Sequence, residues 1–132
     1  MAYDLSWKAE DGLLHFTVTG GNDPETVRAY MDEIRAIAIE RRAPALLVEE
    51  NLRGEGLGFS EIFSLVSKGS DEPWPGLRAI AFVDTNPEHD PTRMRFAETV
   101  AVNRGVNVRV FREVHVARAW LAEDRSRNPA GS

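Results

Sequence analysis

The chain has 132 residues, of which 42% are apolar and 28% charged, with a formal net charge of -5. That length and composition suit one domain with a real core, and the acidic balance argues against binding a phosphate backbone, which needs a basic face. There is no cysteine, so disulfides, thiolate nucleophiles and cysteine-rich zinc sites are excluded.

The opening residues, Met1 to Trp7, lack the basic start and apolar run of a signal peptide. No apolar run approaches the roughly 20 residues of a membrane span. The expectation is a cytoplasmic protein that is not integral to a membrane.

Tyr3, Leu5 and Trp7 alternate with polar residues, and so do Leu14, Phe16 and Val18. With Glu10-Asp11-Gly12 as the turn between them, the two runs predict a β-hairpin. His15 falls on the Thr17 side and is expected to be partly exposed. Gly20-Gly21 ends the hairpin, and Asp23-Pro24-Glu25 starts a helix by capping, a fixed φ and a favourable charge. Val27, Tyr30, Met31, Ile34, Ile37 and Ala38 form its apolar stripe. Arg41-Arg42 suits its last turn, and Pro44 closes it.

Residues 45–48 are wholly apolar, as in a central parallel strand covered on both faces. A glycine-punctuated loop follows, holding Asn51, Arg53, Gly54, Gly56 and Gly58. Phe59, Ile62, Phe63 and Val66 predict a second helix that ends near Gly69. Pro73-Trp74-Pro75 is read as a rigid surface connection. Residues 79–83 form a second continuous apolar strand that ends on Asp84. Asp90-Pro91 repeats the capping device of Asp23-Pro24. Met94, Ala97, Val100 and Ala101 predict a third helix, stopped by Gly105. Val106, Val108 and Val110 alternate with polar residues as in an edge strand. Val114, Ala117, Trp120 and Leu121 carry a last helix, and residues 125–132 read as a polar tail.

The predicted order is β-β-α-β-α-β-α-β-α: an α/β domain over residues 1–124, with a five-stranded, mainly parallel sheet packed by four helices. Ligands in such sheets bind beyond the carboxyl ends of the strands. The site is therefore placed at the loop from Asn51 to Ser60, joined by Asp84 and Asn86. Phe59, Phe63 and Trp74 are its expected walls. Glycines there permit positive φ and close backbone approach, and the amides opening the helix suit an anion. An empty strand-to-helix turn is the plainer alternative. The loop lacks the Lys-Ser/Thr pair of a P-loop and the spacing of a dinucleotide fingerprint.

Glu49, Glu50 and Asp84 stand near strand ends and, if clustered, would share a proton or hold a hard cation. Ordinary solvated acids are the alternative. Arg53 suits either a polar head group or a salt bridge to Glu50 or Glu55. Glu88, His89 and Asp90 make at most a weak metal site. No metal or cofactor is expected. No serine has both a base and an elbow motif. Ser60, near the loop, is a candidate phosphoacceptor or simply a residue of the helix start.

The order resembles the anti-sigma-factor antagonist and STAS-domain fold, and most of all its SpoIIAA-like branch, often described as STAS/SEC14-like. Three passages carry the resemblance: Leu46-Leu-Val-Glu-Glu-Asn51-Leu-Arg53 with Gly56-Leu-Gly58; Arg78-Ala-Ile-Ala-Phe-Val83-Asp84; and Val108-Arg-Val-Phe111 with Ala117-Arg-Ala-Trp120-Leu121. The resemblance implies a non-enzymatic role. Classical members bind a kinase and are switched on a serine in Asp-Ser-Ser-Gly. That segment reads Arg53-Gly54-Glu55-Gly56 here, without the phosphoacceptor. SEC14-like relatives imply an apolar ligand.

The leading expectation is a non-catalytic binding or regulatory domain for a small apolar or amphipathic ligand or a protein partner, with a homodimer through residues 3–19 as a possible assembly. The alternatives are an enzyme using Glu49, Glu50, Asp84 or His89, and a phospho-regulated switch on Ser60. A buried acid with a raised pKa in a cleft is expected of the enzyme and is not required of a binding module.

Overall fold

The computed structural model describes residues 3–10, 12–54 and 56–127. Asp11 of the predicted turn, Glu55 of the glycine loop and residues 128–132 of the predicted tail lie outside them. The elements are β1 (Tyr3–Glu10), β2 (Leu13–Gly21), α1 (Pro24–Arg41), β3 (Ala45–Arg53), α2 (Phe59–Asp71), β4 (Ala79–Asp84), α3 (Thr92–Asn103), β5 (Val108–Phe111) and α4 (Val114–Arg127). They form one mixed sheet in the order β1-β2-β3-β4-β5. β1 pairs antiparallel with β2, and the three remaining pairs are parallel. No helix among the described residues is long and apolar enough to cross a membrane.

Alternation along the strands sorts the side chains onto two faces. Leu14, Phe16, Val18, Leu46, Val48, Ile80 and Val108 join Tyr30, Ile34 and Ala38 of α1 in the larger core. Leu47, Ala79, Ala81 and Val83 face the other way, against Ala117, Trp120 and Leu121 of α4. Three helices thus share one face, and α4 covers the other.

α1 begins as its sequence predicts: the Asp23 carboxylate accepts from the Thr26 amide at 2.9 Å. It stops at Arg42, whose φ of 54° is left-handed. Asp90 works differently from Asp23. Pro91 is the residue that flanks α3, and Asp90 Oδ1 accepts from the amide and hydroxyl of Thr92 at 2.9 and 2.6 Å.

β3 is longer than its apolar run. It continues beyond Val48 to Arg53 because β2 keeps pairing with it, through Thr19↔Asn51 and Gly21↔Arg53. Asn51 and Arg53 are therefore strand residues and not loop. β5 starts at Val108 rather than Val106, and α4 runs three residues past 124.

α2 is the element that departs from tight packing. It rests chiefly on α3, touches α1 less, and has little contact with the sheet. Ile62 is its one fully buried residue. Leu65 and Val66 face inward, and between them and the strands lies open space.

Candidate functional site

That space is a cavity of about 930 Å3. Its apolar lining includes Val27 and Met31 of α1, Leu65 and Val66 of α2, Met94 and Ala97 of α3, and Ile80 and Phe82 of β4, and charged side chains such as Arg28, Asp32, Arg35, Lys68 and Glu98 line it as well. Its polar end lies at the carboxyl ends of β3 and β4, where Glu50, Asp84 and His89 meet Tyr30 of α1.

Glu50 and Asp84 are register partners on adjacent strands and point to the same face. Glu50 is 8% exposed and Asp84 7%. The Tyr30 hydroxyl donates to Glu50 Oε2. Burial pushes the Glu50 carboxyl up to about 7, against the lowering effect of the Tyr30 hydrogen bond, and the Asp84 charge adds to the rise. Burial and the same two acids hold the Tyr30 phenol well above its usual range, so it remains a donor.

The loop after β4 is a closed hydrogen-bond circuit. Asp84 Oδ1 accepts from the Asn86 amide at 3.1 Å, and Oδ2 takes His89 Nδ1 at 2.8 Å. Asn86 Nδ2 donates to the Leu52 carbonyl at 2.8 Å and meets His89 Nε2 at 3.3 Å, while Asn86 Oδ1 accepts from Glu88 N at 2.9 Å. These bonds fix the amide orientation, so Nδ2 presents a proton to Nε2. His89 must then carry its own proton on Nδ1, toward Asp84. Arg112 ties the loop down from outside through the carbonyls of His89 and Asn86.

The structure keeps some of the predicted site and disperses the rest. Asp84 and Glu50 are brought together, and Gly54 and Gly56 line the same cavity. Asn86 holds the loop rather than lining the space. Glu49 is on the opposite face, hydrogen-bonded to His15 Nε2 at 3.0 Å, and so is no part of a three-acid cluster. Asn51 and Arg53 also point away, into a shallow recess with Thr19 and Gly20. That parity rules out an Arg53–Glu50 pair.

Phe59 and Phe63 are not walls. They are 47% and 49% exposed on the outer side of α2, because the inward side is taken by Ile62, Leu65 and Val66. Phe59 packs edge-on against Phe96 at 5.2 Å, and the guanidiniums of Arg93 and Arg104 lie over Phe59 and Phe63. Trp74 does line the cavity, half-buried beneath Arg35, but it follows the far end of α2 and forms no patch with Phe59. Ser60 is exposed in the first turn of α2, and Gly58 caps that helix with its amide on Glu61 Oε1 at 2.8 Å. Of the weak metal site suggested at Glu88, His89 and Asp90, Asp90 is hydrogen-bonded to Thr92 and His89 to Asp84. No group of three metal-ligating side chains occurs among the described residues.

His15 is buried, not partly exposed, because β2 is an inner strand and the Arg118 side chain of α4 reaches over it. Arg118 donates to His15 Nδ1 at 2.9 Å and to Glu10 Oε1 at 3.0 Å. A guanidinium only donates, so His15 carries its proton on Nε2, toward Glu49.

Many cavity residues escaped the sequence reading, Tyr30 and Asn22 among them. Tyr30 counts there only as one apolar stripe position, although a buried tyrosine needs a partner for its hydroxyl and so signals a polar group across from it. Asn22 lines the cavity beside the glycine loop, with its amide bonded to the Arg53 carbonyl at 2.7 Å. Nothing in its sequence context marks it. Compared with known proteins, the chain matches no family model and no curated protein.

Proposed function

We propose that this chain is a binding domain that encloses one small amphipathic molecule between α2 and the sheet, on a framework resembling the STAS fold. Support for the framework comes from the element order and from a strand hairpin feeding three parallel pairs. The observation that carries the function is the cavity. At about 930 Å3 it falls in the range of small-molecule sites, and it has their combination of apolar lining and convergent polar groups.

A second reading, an acid–base enzyme at the same place, is favoured by one observation: the Glu50 carboxyl, raised to about 7 inside a cleft. Against it, the neighbouring groups are already engaged. Both oxygens of Asp84 and both ring nitrogens of His89 serve the loop circuit. Binding is therefore the better-supported role, in a cytoplasmic setting.

Native mass spectrometry beside the denatured mass, together with titration of an environment-sensitive apolar dye, tests this. The expected result is saturable binding of one dye per chain, weakened by Leu65→Trp, which intrudes on the space, with the circular dichroism spectrum unchanged. Absence of saturable binding sinks the reading. A turnover activity that falls at least about a hundredfold in Glu50→Gln would install the enzyme in its place.

A further inference from the structure

The cavity has chemically distinct walls and floor, and the floor is acidic. Glu50 is more than nine-tenths buried and lines the space. One of its oxygens takes the Tyr30 hydroxyl, and the other, Oε1, has no hydrogen-bond partner among the described residues. No cation is among the groups that shift Glu50, although Arg28, Arg35, Lys68, Arg78, Arg93 and Arg104 line other parts of the cavity. Asp84 lies next to it in register, hydrogen-bonded to His89 at 2.8 Å.

Buried carboxylates without a counter-charge are costly: Glu50 holds its proton up to about pH 7, and once it is ionised a cation that arrives with the ligand relieves the cost. A ligand carboxylate or phosphate at this floor would face two acids, so anionic head groups are disfavoured here. An alcohol would satisfy Glu50 Oε1 by hydrogen bonding and leave the charge uncompensated.

Building on the cavity reading above, we infer that the occupant is a cationic amphiphile: an apolar chain or ring along α2 and a protonated amine donating to Glu50 Oε1 beside Asp84. Tyr30 is a positioning residue. Its hydroxyl occupies Oε2 and turns Oε1 toward the cavity.

Three amphiphiles of equal chain length separate the possibilities: decylamine, decanol and decanoate, each titrated by calorimetry below its micellar concentration against the full chain and Glu50→Gln. A charge-assisted hydrogen bond in a dry site corresponds to about a 10- to 100-fold preference. The expected result is decylamine binding at least about tenfold tighter than decanol, with decanoate weakest, and that preference lost in Glu50→Gln. Decanol or decanoate binding as tightly as decylamine overturns the amine assignment and leaves the cavity reading standing. An amine preference that survives Glu50→Gln overturns the role of Glu50. Failure of all three to bind removes the cavity reading and this inference with it. Where Glu50→Gln does not fold, the 13C-carboxyl resonance of Glu50 in the unsubstituted protein decides. Decylamine must lower its titration midpoint by more than decanol does, and an equal or smaller effect overturns the proposal.

Discussion

A carboxyl group that is easier to protonate in the folded chain than in the unfolded one stabilises the fold only while it is protonated. Glu50 is such a group, raised from 4.5 to about 7. Between those values the native state holds the extra proton, so its stabilising contribution falls as pH rises through that window. The shift corresponds to about 3 kcal/mol at most. Urea denaturation at pH 5 and pH 8 is expected to show the unsubstituted chain losing stability toward pH 8. Glu50→Gln is expected to remove most of that slope and to be the more stable protein at pH 8. A slope that persists unchanged in the variant would place the titration elsewhere. The residue proposed to serve a ligand is also the one that weakens the empty fold, the familiar tension between stability and function.

Among the elements, the glycine loop has a structural account of its own. Gly54 and Gly56 have φ of 118° and 88°. A Cβ on Gly56 would stand 2.9 Å from Asn22 Nδ2. Strain and crowding act together, so Gly56→Ala is expected to cost about 1–3 kcal/mol in denaturant midpoint analysis, even with the cavity empty. Phe59 and Phe63 make the opposite case. Exposed as they are, Phe63→Ser is expected to change stability by about 0.5 kcal/mol or less, whereas Ile62→Ala on the inward side costs about 2 kcal/mol or more. Equal losses at the two sites would mean that α2 is turned otherwise.

The same residues show how much was legible. Strand and helix periods, the Asp23 cap and the two apolar strands are local patterns, and the fold follows them closely. That the carboxyl ends of β3 and β4, where the candidate site is placed, are neighbours was legible too. Its composition was only partly so. Alternation along a strand already separates Glu49 from Glu50 and sends Asn51 and Arg53 with Glu49, provided that the strand is known to reach Arg53. That extension depends on pairing with Gly20 and Gly21, which no local pattern announces. Likewise, an apolar stripe with two phenylalanines does not reveal which of its sides faces inward when the helix leans on another helix and not on the sheet.

At the scale of the molecule, α2 is the least anchored cover of an otherwise close-packed sheet. Elements with few buried contacts open at lower free energy than the core. Amide hydrogen exchange is expected to show α2 exchanging faster than β3 and β4, and to slow in α2 when an apolar dye occupies the cavity. Equal protection of α2 and β3 in the empty protein would show that the helix is no separate unit.

The opposite face carries a different consequence. Arg118 of α4 reaches Glu10 and His15, across a separation of more than a hundred residues in the chain. α4 is also what buries Leu47, Ala81 and Val83. On a ribosome, the hairpin and both central strands emerge first, and one side of them remains wet and apolar until residues 117–121 follow. Translation that halts before those residues leaves a sheet finished on one side and adhesive on the other. Nascent chains whose residues up to 105–115 have cleared the exit tunnel should therefore recruit chaperones, whereas chains whose residues beyond 121 have cleared it should not.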